Sequence, residues 1–438
     1  MAHPSTAPLH DPDTYTTGVP FDLLEQLRAR GPVHWVDEPE LPGLPAGSGY
    51  HLVIDHGLVT EVVRDAATYS SALGGTQIRD PATERDLHYV QRMMLNMDPP
   101  EHTRLRRMIA ASFTPRAVRA LEDRIAGHAE RIVDRMLAGP QECDFAKDVA
   151  ADLPLLTLAD ILGVPAEDRW LMFDWSNRVI GFLDPDYASS ASFDAGQGTS
   201  IAREAVALRP APDADGRMPD PRGRDGMPDL YHYAHLLGDA KRAEPGDDVM
   251  SILLAQRSED GGELSVEEFE NMFWLFAVAG NETLRNGLPG AMIALLSNPD
   301  TMTTLRADPS LIPGAVDELL RWWTPVMTFR RTATCDTVLA GTAIAAGDKV
   351  VVSYLGANRD PAVFERSDEL LIGRKPNNHR VFGHGPHVCV GAHFARVQMT
   401  HLFREVLGRT RAIQLAGEPV LLRSNFQRGV KRLPISWE

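Results

Sequence analysis

Phe382-Gly383-His384-Gly385-Pro386-His387-Val388-Cys389-Val390-Gly391 is the stretch that decides the reading of this chain, and a helical run opening Ala392-His393-Phe394-Ala395-Arg396 follows it directly. A glycine-rich loop delivers a single cysteine to a helix N-terminus, where free backbone N–H groups and the helix dipole favour a thiolate. An isolated cysteine is more often a buried structural thiol. Here two glycines, a proline and a histidine crowd the approach, which a merely buried thiol does not need. The only other cysteines are Cys143 and Cys335, far away in sequence. Three scattered thiols exclude a disulfide framework and any zinc site with two close cysteines.

The pattern F-G-x-G-x-H-x-C-x-G resembles the heme-binding loop of cytochromes P450, with every fixed position present. The resemblance implies that Cys389 is the axial thiolate of heme b (iron protoporphyrin IX), that Phe382 packs near the proximal heme face and that His387 reaches a propionate. Other segments agree with it. Glu318-Leu319-Leu320-Arg321 places a carboxylate and a guanidinium at i and i+3 on a helix, with Arg321 68 residues before Cys389, and is similar to the family's E-x-x-R. Arg374 is the expected third member of that ion-pair cluster, and all three are assigned to folding. Met97-Asp98-Pro99-Pro100-Glu101-His102-Thr103-Arg104-Leu105-Arg106 resembles the segment whose H-x-x-x-R holds a propionate. His102, Arg106, Arg331 and His387 are thus the expected cations for two buried anions. Arg330 adjoins Arg331, so that placement is open by one residue.

Outward from the loop the chain is mostly helical. Ser265 and Glu268 form a capping-box pattern with Leu264 and Phe269 at staple spacing, and apolar residues recur every three or four positions, which predicts a helix over 265–297. It carries Ala279-Gly280-Asn281-Glu282-Thr283, similar to the family's oxygen-activation motif. Gly280 is expected to open room above the heme, and Glu282 with Thr283 to relay protons. The bland alternative is that Thr283 only bonds back to the Ala279 carbonyl. Pro289 departs from the family pattern and is costly inside a helix. A second helix is expected over 312–323, and a hairpin from strand 337–344 through a turn at Ala346-Gly347-Asp348 into 350–352.

The chain's 438 residues, 43% hydrophobic and 24% charged, make an ordinary globular protein, read here as one catalytic domain, 1–438, of cytochrome P450 fold with a small β region. Asp plus Glu outnumber Lys plus Arg 60 to 44, which argues against a nucleic-acid-coating surface. Neither a signal peptide nor a window near ~18 apolar residues occurs, so no membrane anchor and a cytoplasmic location are expected. Residues 209–229 hold five Pro, five Asp and four Arg but only four apolar side chains outside Pro and Gly, and are read as a flexible insertion in the loop roofing the substrate pocket.

The reading is a bacterial heme-thiolate monooxygenase, inserting one atom of O2 into a lipophilic small molecule. Its segments are closest to the actinobacterial branch that hydroxylates steroids, terpenoids and branched lipids. With no flavin or nicotinamide fingerprint, electrons would come from a ferredoxin and its ferredoxin reductase, docking near Arg104, Arg107 and Arg396; a monomer is expected. Pocket candidates are Val326, Met327, Leu275, Ala279 and Phe182. The alternatives are a peroxide-driven peroxygenase and a non-catalytic heme-binding protein, neither of which needs the Glu282–Thr283 relay.

Overall fold

The computed structural model describes residues 4–189, 195–223, 225–257 and 261–438. They fall into two units. One comprises Met1–Asp80, Glu122–Leu153 and Thr283–Glu438, the other Pro81–Leu121 and Pro154–Glu282.

The first unit is built on a five-stranded sheet in the order Val33–Val36, Tyr50–Val53, Lys349–Ser353, Thr328–Ala333, Tyr69–Ser70. Its central strand carries Val350, Val351 and Val352, each wholly buried, as a strand covered on both faces requires. It runs parallel to Tyr50–Val53 and antiparallel to Thr328–Ala333. Leu9, Tyr50, Leu52, Met327 and Val351 form the core on one face, and Val53, Val59, Val350, Val352 and Tyr354 that on the other. The expected hairpin is therefore corrected. Thr337–Leu339 pairs with Thr342–Ile344 about a tight turn at Ala340-Gly341, while the 350–352 run joins the main sheet. Two residues with positive φ, Ala340 and Gly341, close the earlier turn, and three consecutive valines gain more from two-sided burial than from an edge hairpin.

Lys349 opens the central strand with its side chain 2% exposed, and its ammonium contacts Glu38 at 2.6 Å and Asp80 at 2.7 Å. Arg330 shares Asp80 at 2.5 Å. Ile312–Trp323 forms as read from the sequence and packs against Ala392–Arg409. It ends at buried Thr324, whose φ of 55° is strained for a β-branched residue. That conformation is held by Thr324 Oγ1 donating to the Arg321 carbonyl and accepting from Asn358 Nδ2.

In the second unit, Trp175, Tyr233 and Phe273 stack with ring centroids 5.3–6.0 Å apart, joining the Arg169–Ile180 and Pro228–Ala243 helices to the long helix. Lys241 is buried against Asp248 at 2.7 Å. The long helix spans Val266–Leu296, and its N-terminus carries the capping box: Glu268 N donates to Ser265 Oγ and Ser265 N to Glu268 Oε2. The unit boundary passes along it after Glu282. Within the first unit, Gly290 follows Pro289 because a Cβ there would lie 2.1 Å from the Trp323 indole. Among the described residues no helix is long and apolar enough to cross a membrane.

Between helices Ser200–Val206 and Pro228–Ala243 the described residues 209–223 and 225–227 form no helix or strand, as their composition implies, whereas Pro228 and Asp229, read from the sequence as part of the insertion, open the second helix; Arg224 lies outside the described residues. The insertion's two ends are fastened. Arg209 makes two hydrogen bonds to Asp174, Asp174 pairs with Arg178 one turn on, and Arg178 pairs with Asp229. Asp174, Arg178 and Asp229 are at most 1% exposed, so this is a buried chain of charges. Residues 211–217 are exposed, whereas Met218, Arg222 and Met227 are buried.

Candidate active site

The cysteine loop turns on two glycines with positive φ, Gly383 at 67° and Gly385 at 71°. At Gly385 a Cβ would also approach the Val63 carbonyl oxygen to 2.7 Å, so conformation and space both demand glycine. Cys389 N donates to the Phe382 carbonyl at 2.8 Å, closing the loop, and the thiol is exposed three residues before the helix that starts at Ala392.

The Phe382 ring packs near two basic side chains. The Arg396 guanidinium sits 4.5 Å from its centroid and the His379 ring 5.7 Å away. Both bind Asp317 Oδ1, at 2.8 Å and 3.1 Å. Burial pushes the Asp317 carboxyl up, but the His379 hydrogen bond and the Arg396 charge outweigh it and hold the carboxyl below its ordinary range. Sequence reasoning missed Asp317 and His379, since neither has a motif of its own. Of the basic residues expected to meet a ferredoxin, Arg396 is thus occupied, and Arg104 pairs with Glu268, while Arg107 is exposed.

Glu318, Arg321 and Arg374 come together as expected. Arg321 grips Glu318 through Nε at 2.7 Å and Nη2 at 2.8 Å, and Arg374 Nε lies 3.1 Å from both carboxylate oxygens. Leu371 N donates to the same carboxylate, and Arg321 donates to the carbonyls of Asn358, Ser367 and Glu369.

His387 Nε2 lies 3.2 Å from Ser71 Oγ. Arg330 and Arg331 point to opposite faces of their strand: Arg330 is committed to Asp80 and Thr332, while Arg331, 3% exposed, bears electrostatically on Tyr354. The Tyr354 hydroxyl in turn lies 3.5 Å from where a Gly383 Cβ would be. In the second unit His102, buried, and Arg106, half-buried, stand one turn apart on the Glu101–Ala110 helix.

On the long helix Ala279 and Gly280 are exposed between buried Val278 and Asn281. A Cβ at Gly280 would come to 2.9 Å from Leu158 Cδ1, a reason for glycine that the sequence alone did not give. Glu282 is fully buried and accepts a hydrogen bond from the Tyr187 hydroxyl at 3.0 Å; Thr283 is half-buried. Asn281 Nδ2 donates to Ser176 Oγ. Of the pocket candidates, Phe182 and Val326 are half-buried and Leu275 is 7% exposed. Met327 is a correction: at 0% exposure it belongs to the sheet core with Leu9 and Tyr50 and has no surface to offer a ligand.

Among the described residues no three His, Cys, Asp or Glu gather to hold a metal ion. A cysteine held in a glycine-rich loop ahead of a helix fits heme iron, which Cys389 would hold.

The chain is 35% identical over 422 residues to a steroid C26-monooxygenase of Mycolicibacterium smegmatis, covering 96% of this chain and 91% of the relative. The chain belongs to the cytochrome P450 family. The family profile "Cytochrome P450" matches residues 238–414 of this P450. Linalool 8-monooxygenase of Pseudomonas putida is 32% identical, with 98% of each chain covered. The solved cytochrome P450 CYP268A2 of Mycobacterium marinum, in complex with pseudoionone, superposes with a TM-score of 0.82 at 32% identity over 99% of both chains. This P450 is a heme b monooxygenase of mostly helical fold. When bound, the heme supplies the redox metal at which dioxygen is reduced and one oxygen atom is passed to the substrate.

Proposed function

We propose that this P450 oxygenates a lipophilic small molecule of the steroid or terpenoid class, with electrons from a ferredoxin and ferredoxin reductase. The observation that carries the chemistry is the loop-held Cys389 ahead of its helix, and on the long helix a buried acid, Glu282, directly precedes Thr283 in the sequence. In this reading Cys389 would hold the heme iron, and His102, Arg106, Arg331 and His387 would neutralise the propionates. Glu282 and Thr283 hold and pass the protons that oxygen reduction consumes. A peroxygenase or heme sensor would have no use for that pair.

The substrate class rests on the relatives named for steroids and linalool. Ferredoxin docking is supported by the surface beside the loop, where Arg64 and Arg380 adjoin the Gly383–Gly385 turn. Residues 211–217 are the part of the insertion free to act as a lid, between ends fastened to Asp174 and Arg178. The whole chain acts as one catalytic domain, a cytoplasmic monomer.

Optical titration against steroids, terpenoids, fatty acids and aromatics tests the substrate class, and turnover with a ferredoxin system against peroxide alone tests the electron source. Saturable spectral shifts confined to fatty acids, or equal rates with peroxide alone, would overturn the proposal.

A further inference from the structure

Tyr187 sits in the short helical turn Pro185–Ala188 and is 5% exposed, with its hydroxyl donating to Glu282 Oε2 at 3.0 Å. Three features make this a built contact. Asp184 caps the turn by accepting from Tyr187 N, fixing the backbone that carries the ring. Gly181, at the end of the Arg169–Ile180 helix, gives the ring its seat: a Cβ there would lie 2.8 Å from Tyr187 Cδ1 and 2.7 Å from Ala188 N. Next to Glu282 on the long helix, Asn281 is tied to Ser176 of the same Arg169–Ile180 helix.

A buried carboxylate that must pass protons needs a fixed rotamer, because a swing of about 1 Å takes it out of hydrogen-bonding reach. Tyr187 contributes that orientation without adding a charge. We propose that Tyr187 is a positioning residue for proton delivery, holding Glu282 in its working rotamer and tying it to the segment that links the Arg169–Ile180 and Pro228–Ala243 helices. The inference rests on the proposed proton-delivery role of Glu282. Its consequence is that a change in the 185–188 turn is felt at the acid without contact between substrate and Glu282.

The test compares Tyr187→Phe, Glu282→Gln, their combination and Gly181→Ala in the holoenzyme. Tyr187→Phe keeps the ring against Gly181 and removes only the hydroxyl. Loss of one buried hydrogen bond of ordinary net strength should lower product formed per reductant consumed about five-fold, and raise amide hydrogen exchange over 185–189 in the resting, substrate-free protein by a similar factor. Substrate affinity and heme content should stay as in the parent protein. Gly181→Ala, which shoves the ring, should shift coupling and exchange in the same direction. The combined variant should be no less coupled than Glu282→Gln alone. If Glu282→Gln uncouples but Tyr187→Phe does not, Tyr187 has no positioning role and the proton-delivery reading survives. If Glu282→Gln leaves coupling intact, both fall. If Tyr187→Phe lowers heme content and affinity together with coupling, its role is structural and the inference is wrong.

Discussion

Replacing Glu318 by glutamine should harm this P450 more than replacing its partner Arg321 by methionine. The sequence pair alone points the other way, since removing Arg321 would strand a buried carboxylate. In the fold, however, Arg374 stands 3.1 Å from both carboxylate oxygens, so Arg321→Met leaves Glu318 paired and instead takes a donor from the carbonyls of Asn358, Ser367 and Glu369. Glu318→Gln leaves two guanidinium groups, 0% and 6% exposed, facing each other without their shared anion. The new amide N–H groups would also confront donors from Leu371 N and both arginines. Breaking a buried pair from one side costs about 3–5 kcal/mol. At about 2.1 cal/mol/K per residue over 438 residues, the unfolding entropy is roughly 0.9 kcal/mol/K, so the melting temperature should fall by about 3–5 °C. Arg321→Met should fall less. Thermal melts of heme-loaded protein, followed by circular dichroism and the Soret band together, measure both. A Glu318→Gln shift under about 1 °C, or the reverse order of the two variants, would refute the reasoning.

Cys389→His should abolish the red-shifted Soret band of the reduced carbon monoxide complex, whereas Cys143→Ala and Cys335→Ala should keep it. Cys143, half-buried and pushed up to about 12 by burial and neighbouring acids, should resist alkylation at pH 8, while exposed Cys335 reacts. Thr283→Ala should keep heme and substrate binding but divert reductant to peroxide and water; unchanged coupling would remove Thr283 from proton delivery. Replacing 211–217 by a short Gly-Ser link, with Arg209 and Asp229 kept, should preserve the thiolate spectrum and alter substrate affinity or product release; loss of heme would place the segment in the core. For Asp317 the folded pKa lies below the ordinary value of 3.8, so its stabilisation is complete above that pH and is lost as pH falls through the folded value. The stability gap between the parent and Asp317→Asn should therefore be present above about pH 4 and close as pH falls below it; a gap that stays open at lower pH would contradict the Asp317–His379–Arg396 arrangement.

What could be read from the sequence was whatever chemistry fixes locally. The cysteine loop, the E-x-x-R turn and the capping box at Ser265 and Glu268 depend on residues within ten positions of one another, and each forms as read. What could not be read depends on distant partners. The 350–352 run looks like a hairpin strand until His51, Leu52 and Val53 arrive beside it from 300 residues away. Met327, apolar and near the site in sequence, is claimed by the core through Leu9 and Tyr50. Tyr187 lies in Asp-Pro-Asp-Tyr, which signals a turn and nothing more; only the fold brings it to an acid 95 residues on. The insertion's composition announced an irregular segment but hid its anchors, because nothing in the i, i+4 spacing of Asp174 and Arg178 tells that the pair is buried.

The chain has only five lysines, and the fold withdraws Lys241 and Lys349 into ion pairs. Lys431 is half-buried, while Lys147 and Lys375 are exposed. Amine-directed coupling, which decorates most enzymes at random, would attach this one to a bead or electrode through two side-chain positions. Removing either leaves one exposed lysine for such coupling, a practical consequence of an arginine-rich sequence that keeps two of its few ammonium groups inside.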